Sequence, residues 1–147
     1  DGMTPKDFHE KCDKSGPTIV LIRCRFYESS KDSIIGGFLD QDWNSDGQWI
    51  ASDHAFLFSL TAKVKCPLIK KNEYAAEGKA DLGPTFGSVL TLKNNFRENC
   101  VEPGGYYENS DLLIDRKNQE PIFSFDGHKL FGMNYFYLEE IEVYTFK

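Results

Sequence analysis

A run of oxygen-bearing side chains at 42–53, DWNSDGQWIASD, has the spacing of a calcium-binding loop. Asp42, Asn44 and Asp46 occupy the first three ligand positions, a glycine follows at the sharp turn, and Asp53 falls where the closing carboxylate belongs. Such a loop needs a helix on each side, but two consecutive glycines precede it and a β-rich segment follows it. We therefore predict a polar turn. A calcium-responsive adaptor that uses these four side chains is the alternative.

A second acidic group lies near the end of the sequence, in YLEEIEVYTF at 137–146. In a regular strand Glu140 and Glu142 share one face, and Glu139 faces the other way with Ile141. Two carboxylates on one face could act as acid and base or hold a metal. The sequence places no histidine or aspartate to join them. We therefore expect a structural role, in which Glu140 or Glu142 ties the last strand to a neighbouring loop.

The histidines and cysteines form no recognisable catalytic motif. H-E-x-x-H, G-x-S-x-G and the P-loop are all absent, and His9 is expected at the surface or as a helix cap. The four cysteines are Cys12, Cys24, Cys66 and Cys100, and no two of them have C-x-x-C spacing. We predict no catalytic residue, no metal and no cofactor, with reduced thiols in a cytoplasmic setting. A redox-active antioxidant that uses these thiols, or a hydrolase-like enzyme, is the alternative.

The composition is that of a folded acidic chain. Its 147 residues are 40% hydrophobic and 14% aromatic, which suits one domain with a sizeable core. The net charge is −6 and no stripe of Lys or Arg could neutralise phosphates, so a nucleic-acid partner is not expected. No apolar run is long enough to predict a transmembrane segment. The first residues lack the features of a signal peptide, and we expect a domain cut from a larger protein or complex.

The elements that must position these residues are one short helix and then many strands. Thr4 as N-cap, Pro5 and Asp7 predict the start of the helix, and Gly16–Pro17 predicts its end. TIVLIRCRF at 18–26 begins as a continuous apolar run, which predicts burial on both faces. Further strands are expected at 34–39, 55–60, 63–69, 82–92, 111–115, 121–125 and 134–146, and 94–110 is expected to be largely loop. This order predicts a mainly β fold, a two-sheet antiparallel β-sandwich with a short N-terminal helix and small peripheral helices.

In this order the segments resemble the TLDc domain family. The resemblance is carried by FHEKC-x₃-GPT-x-x-LIR at 8–23, GGF at 36–38, Trp43, D-x-AFLFSL at 53–60, GPTFG at 83–87 and EEIEVY at 139–144. It runs from about Thr4 to the C-terminus, so we expect a single TLDc-like domain over 4–147.

The resemblance implies a β-sandwich, a role in oxidation resistance and, in several eukaryotic relatives, binding to the vacuolar-type proton ATPase. No reaction mechanism is established for the family, so we expect a non-enzymatic protein–protein interaction domain. The glycines of its signature are expected to allow close packing or unusual φ. Trp43, Phe56 and Phe58 are expected to anchor the core. Asp53 is expected to cap the turn entering AFLFSL. The signature residues are Gly36, Gly37, Trp43, Asp53, Phe56, Phe58, Gly83, Thr85, Gly87, Glu140 and Glu142.

Overall fold

The computed structural model describes one α-helix and eleven strands. The described residues are 4–27, 29–69, 72–93, 96–104, 106–114, 122–123, 129–130 and 134–146. The elements are α1 Pro5–Cys12, β1 Thr18–Phe26, β2 Ser33–Leu39, β3 Asp46–Ser52, β4 Phe56–Ser59, β5 Val64–Pro67, β6 Asn72–Lys79, β7 Leu90–Lys93, β8 Glu98–Val101, β9 Ile122–Phe123, β10 Lys129–Leu130 and β11 Asn134–Thr145. A 3₁₀ helix, Ser110–Leu113, lies between β8 and β9. Neither helix in this part of the chain has the length and apolarity needed to cross a bilayer.

The helix α1 begins where the sequence predicts and is held by a capping box. The Thr4 hydroxyl accepts a hydrogen bond from the Asp7 N–H, and the Asp7 carboxylate accepts one from the Thr4 N–H, each at 3.1 Å. Bonds from the Thr4 N–H and hydroxyl lower the pKa of the exposed Asp7 carboxyl, because they stabilise its ionised form. Phe8 and Cys12, four residues apart, are both buried, as predicted. The helix ends at Cys12, before the predicted stop at Gly16–Pro17.

Seven strands form one antiparallel sheet in the order β5-β4-β2-β1-β11-β8-β7. β1 pairs with β11 along its whole length, and a bulge at Glu139 shifts the register between Arg23 and Cys24. The strands β3 and β6 form a separate two-stranded sheet, as do β9 and β10. We call the face of the seven-stranded sheet that carries Val20 and Ile22 the inner face, and the opposite one the outer face.

The hydrophobic core lies on the inner face. Val20, Ile22 and Cys24 of β1 are fully buried there, and Phe8 of α1 and Trp43 belong to the same buried cluster. The outer-face residues of β1 between them are only half-buried or exposed. The prediction that β1 is buried on both faces therefore holds for one face only.

The predicted mainly β fold with one N-terminal helix is confirmed, but the two-sheet sandwich is not. The described strands form one large sheet and two two-stranded sheets. Beyond α1, the described part of the chain contains only the four-residue 3₁₀ helix, so the predicted peripheral helices are not confirmed either.

Two segments were predicted wrongly, and a third contains a strand that was not predicted. The segment 111–115 was predicted as a strand, but its first three residues belong to the 3₁₀ helix. The segment 94–110 was predicted to be largely loop, and it also contains the four-residue strand β8, which pairs with both β7 and β11. Within 82–92 the strand begins only at Leu90, because the glycine- and proline-containing part forms a buried turn.

Candidate interaction surface

The signature residues fall into two groups. One group is buried in or beside the core: Gly37, Trp43, Gly83, Thr85 and Gly87. The other group lies on the outer face of the seven-stranded sheet: Gly36, Phe56, Phe58, Glu140 and Glu142. Asp53 belongs to neither group, because it is exposed in the turn between β3 and β4.

Trp43 is the centre of the buried group. Its ring packs edge-to-face on Phe8 and on Phe86, with ring centroids 5.2 and 5.5 Å away. Its indole Nε1 donates a hydrogen bond to Thr18 Oγ1 at 2.8 Å, which satisfies a polar atom that is cut off from water. Trp43 therefore anchors the core, as predicted.

The glycine motifs of the buried group permit close packing. A side-chain carbon on Gly37 would lie 2.6–2.8 Å from the ring of Phe86, so glycine lets this ring pack against the inner face. Gly87 has a φ of +58°, which other residues adopt only with strain. Thr85 Oγ1 donates to the Gly83 carbonyl at 3.0 Å inside the same buried turn. GPTFG is therefore a packing element.

The prediction that Phe56 and Phe58 anchor the core is wrong. Leu57, which lies between them, is fully buried on the inner face. Because side chains alternate along a strand, both phenylalanines point to the outer face, where they are half-buried. The Phe58 ring covers Gly36, where a side-chain carbon would lie 2.7 Å from the ring. Phe56 stacks on Phe38, with ring centroids 5.3 Å apart.

The outer face is apolar across three neighbouring strands. Half-buried apolar residues of β1, β2 and β4 form what we call the outer apolar patch: Ile19, Leu21, Ile34, Phe38, Phe56 and Phe58. Beside it Phe146, 61% exposed, packs edge-to-face on Phe38 at 6.1 Å. Lys65 Nζ lies 4.3 Å from the centre of the Phe56 ring, which is a cation–π contact. An antiparallel sheet with one face in water normally turns polar residues to that face, so this patch departs from the usual pattern.

Towards the other end of β1 the outer face becomes charged. Arg23 lies 3.2 Å from the Asp32 carboxylate and 3.9 Å from those of Glu139 and Glu140, and Arg25 lies 3.9 Å from Glu139. Exposed pairs of this kind add little stability. The contacts with both arginines show that the bulge brings Glu139 to the outer face. The prediction for a regular strand, with Glu139 on the face opposite Glu140 and Glu142, is therefore wrong.

The carboxylates of Glu140 and Glu142 lie on the outer face of the sheet. A shallow cavity of about 90 Å³ lies beside them, lined by Leu21, Arg23, Ile34, Glu140 and Glu142. Glu142 accepts a hydrogen bond from the Tyr144 hydroxyl, and this bond together with the negative charge of Glu142 raises the pKa of that phenol. In the described part of the chain, no group of three or more His, Cys, Asp or Glu side chains could hold a metal ion.

The acidic turn at 42–46 lies between two strands, β2 and β3, and not between helices. Asp42 accepts a hydrogen bond from a backbone N–H after α1 at 2.7 Å, and Asp46 accepts one from the backbone N–H two residues later at 2.9 Å. The Asn44 amide contacts the Asp46 carboxylate and a carbonyl of β6. These oxygens therefore hold the turn itself. The turn was predicted, whereas the strand that begins at Asp46 was not.

The turn entering β4 is capped by Ser52 and not, as predicted, by Asp53. Ser52 Oγ accepts hydrogen bonds from the N–H groups of His54 and Ala55 at 3.1 and 2.9 Å. The same hydroxyl lies 2.6 Å from one oxygen of Asp40, and His54 Nδ1 lies 3.2 Å from the other. The Asp53 carboxylate makes no hydrogen bond within the described residues. A side chain one position earlier therefore performs the role that the sequence assigned to Asp53.

Ser52, His54 and Asp40 are the residue types of a hydrolase triad in an arrangement that does not serve that chemistry. The Ser52 hydroxyl donates to the Asp40 carboxylate and not to the His54 imidazole, so the serine–histidine–aspartate order of a triad is not formed. Burial raises the pKa of the Asp40 carboxyl, but its hydrogen bonds, first those from Ser52 and His54, together lower this pKa overall. The network therefore holds the β2 end, the β3 end and the β4 turn together.

Sequence reasoning also missed a buried histidine. His9 is only 7% exposed, whereas it was expected at the surface or as a helix cap. Its Nδ1 lies 2.7 Å from the Asp13 carboxylate, and its Nε2 lies 2.8 Å from the carbonyls of Lys79 and Leu82. The ring therefore fastens α1 to the connection between β6 and β7. The four-residue spacing of His9 and Asp13 was the available signal.

The four cysteines are all free and buried. Burial raises the pKa of the Cys24 thiol to about 12 and that of Cys66 to about 11, and it also raises the pKa values of Cys12 and Cys100. The thiolate is the nucleophilic form of cysteine. The folded state therefore keeps all four thiols in their less reactive form.

The family model of the TLDc domain matches residues 1–147, the whole chain. The chain therefore belongs to the TLDc domain family, and the resemblance carried by its motifs is confirmed. A comparison with curated protein sequences gives no match.

Proposed function

We propose that this TLDc domain is a non-enzymatic protein–protein interaction domain that binds its partner through the outer apolar patch. The observation that supports this proposal is the patch itself, in which aromatic and aliphatic side chains stand where a solvated sheet face carries polar ones. Contiguous apolar surface of this kind marks interaction sites. The arginines and tyrosines near the patch are residue types that are enriched in binding hot spots.

The partner that the family resemblance suggests is a subunit of the vacuolar-type proton ATPase, met in a cytoplasmic setting. A contribution to oxidative-stress resistance would then follow from this contact and not from chemistry at the domain itself. The buried, protonated thiols support this order of events, because they are poor nucleophiles towards peroxide. The contacts of Glu140 with Arg23 and of Glu142 with Tyr144 support a structural or binding role for these carboxylates.

The test is binding of the folded domain to the purified peripheral sector of the proton pump, measured by biolayer interferometry. We expect Phe56→Ser and Phe38→Ser to weaken binding at least about tenfold, because both side chains lie in the patch and would be buried by a partner. Circular dichroism melts should show that both variants remain folded, since neither side chain belongs to the inner core.

The matched control is Trp49→Ser, which removes an exposed aromatic side chain from β3, in the separate two-stranded sheet. This variant should bind like the wild type. Undiminished binding by both patch variants would show that the patch is not the docking surface. Absence of binding by the wild-type domain would remove the pump as partner.

A further inference from the structure

The last strand is much longer than the strand on one of its sides. β11 spans Asn134–Thr145, but β8 pairs only with its first three residues, Asn134–Phe136. From Leu138 to Thr145, β11 pairs with β1 on one side, and within the described part of the chain nothing pairs with its other side. About half of the N–H and C=O groups of this segment therefore point away from β1 and have no backbone partner among the described residues. We call Leu138–Thr145 the open edge.

The two terminal strands of the same sheet are shorter, and each has some backbone bonds on its outer side. Beyond β5, the Ile69 N–H donates to the Tyr106 carbonyl at 3.0 Å, and the Glu108 N–H donates to the Pro67 carbonyl at 2.8 Å. Beyond β7, the segment 83–86 bonds to Leu90 and Leu92, each at 2.9 Å. Proteins commonly cover their sheet edges because an uncovered edge pairs with other chains. The open edge is thus a long stretch of strand that has no backbone partner on one side among the described residues.

The open edge has different chemistry on its two faces. On the inner face Leu138, Ile141 and Val143 are half-buried and pack against the hydrophobic core. On the outer face Glu140 and Glu142 stand in line along the strand. Arg23 lies 3.9 Å from Glu140, whereas no lysine or arginine pairs with Glu142 among the described residues. A strand added here would meet an apolar surface on one face and carboxylates on the other.

We propose that an extended, basic segment of a partner protein adds to the open edge as a further strand of the sheet. Its alternate residues are apolar, next to Ile141 and Val143, and cationic, next to Glu140 and Glu142. Opposite charges across a strand pair are favourable, and main-chain hydrogen bonds supply the rest of the contact. This proposal rests on the proposed function as an interaction domain, and it specifies the chemistry of the partner at a second place on the same sheet.

A second copy of this chain is a poor occupant of the open edge. Two copies related by a two-fold axis would form an antiparallel strand pair in which one residue lies opposite its own copy. The registers that pair most of the open edge have Ile141 or Glu142 as that central residue. The first register places Glu140 opposite Glu142, and the second places Glu142 opposite Glu142. Like charges directly opposite each other destabilise a strand pair. The same carboxylates that repel a second copy therefore favour a basic strand.

The test uses hydrogen exchange of the intact chain, followed at the amides of 138–145. The probe is an acetylated and amidated heptapeptide of alternating lysine and valine. One control peptide carries glutamate in place of lysine. Two further controls are the lysine peptide with N-methyl groups on every second backbone nitrogen, and the two differ in which alternate set of nitrogens is methylated. We expect the lysine peptide to slow exchange at least about tenfold at alternate amides of the open edge. The glutamate peptide and one of the two N-methylated peptides should have no effect.

Protein variants test the charge. Glu142→Gln and Glu140→Gln should each weaken the binding of the lysine peptide about threefold, the effect of one favourable cross-strand charge pair. Glu73→Gln, on β6 of the separate sheet, is the matched control and should bind the peptide like the wild type. Equal melting temperatures of the three variants and the wild type will show that the fold is intact.

Several outcomes would overturn the proposal. The first is that the lysine peptide leaves exchange at the amides of 138–145 unchanged. The second is that the glutamate peptide protects these amides equally well. The third is that the chain self-associates and protects these amides without any peptide. The result of the peptide experiment can be distinguished from the result of the pump-binding experiment that tests the proposed function. If the peptide protects the edge but the pump does not bind, the edge proposal stands and the named partner is wrong. If the pump binds and the amides of 138–145 exchange as in the free chain, the interaction function stands and the edge proposal fails.

Discussion

At the residue scale, one hydrogen bond holds the central tryptophan in place. Trp43 Nε1 donates to Thr18 Oγ1 at 2.8 Å inside the core. We expect Thr18→Val, which keeps the shape of the side chain, to lower the free energy of unfolding by about 1–3 kcal/mol, because the buried indole N–H loses its acceptor. Urea unfolding measures this change. A loss of under about 0.5 kcal/mol would show that the bond is not important for stability.

A second residue-scale prediction concerns the pH dependence supplied by Asp40. Its pKa in the folded state lies below the ordinary value of 3.8, since its hydrogen bonds, first those from Ser52 and His54, together outweigh the effect of burial. Its ionised form therefore stabilises the fold above the unfolded-state pKa, and this contribution is lost as the pH falls through the lower folded-state pKa. We expect Asp40→Asn to be less stable than the wild type at pH 7, with a smaller difference at about pH 3.

The control for Asp40→Asn is Asp53→Asn, because the Asp53 carboxylate is exposed and makes no hydrogen bond among the described residues. Urea unfolding of both variants at the two pH values separates the network from a general charge effect. A stability difference for Asp40→Asn that does not change with pH would show that the carboxylate charge is not what stabilises the turn.

At the scale of the element, β4 shows how neighbouring residues divide between the two faces. Leu57 is fully buried on the inner face, whereas Phe56 is half-buried on the outer face. We expect Leu57→Ala to cost roughly 2–5 kcal/mol of unfolding free energy, because it leaves a cavity in the core. Phe56→Ala should cost only about 1 kcal/mol, although phenylalanine is the larger residue. Urea denaturation of the pair checks this order, and the reverse order would contradict the assignment of the faces.

The acidic turn between β2 and β3 supports a prediction about calcium. Asp42 and Asp46 accept backbone hydrogen bonds within and near the turn, and strands flank it on both sides. We expect millimolar calcium to change the melting temperature by less than about 1 °C, because binding to the native state would raise it. Calorimetric titration should give no heat of micromolar binding. Micromolar binding that is lost in Asp42→Asn would make the calcium-responsive adaptor the better hypothesis.

At the scale of the whole molecule, the four buried thiols report on the opening of the fold. All four are free, and burial raises each of their pKa values. We expect a thiol reagent at about pH 8 to label the native chain slowly, at rates set by local or global unfolding, and the chain in urea rapidly at all four positions. A thiol that reacts rapidly in the native chain would support the redox-active antioxidant.

Local sequence signals predicted the elements that depend on near neighbours. The Thr4–Asp7 capping box, the shared face of Phe8 and Cys12, and the strands β1, β2 and β11 are all present where the sequence placed them. These features involve residues a few positions apart, and the side-chain period of helix or strand is enough to specify them. The family resemblance, and not the local periodicity, placed Trp43 in the core.

The candidate surface was beyond prediction from local pattern, because faces and edges depend on which strands pair. AFLFSL is apolar throughout, so its sequence does not show that Leu57 faces the core while its two neighbours face outward. The bulge that turns Glu139 outward exists only in the register between β1 and β11. The role assigned to Asp53 belongs to Ser52, since Asp40 and His54 meet there only in the folded chain.

The sequence by itself determined that this chain is a mainly β TLDc domain with a capped N-terminal helix, because its motifs and its local periodicity are properties of the chain alone. The tertiary structure decided that the apolar run of β1 is covered on one face and half-exposed on the other. It also decided that β11 continues past β8 with an open edge. Both results follow from the order and lengths of paired strands, which bring together residues more than a hundred positions apart.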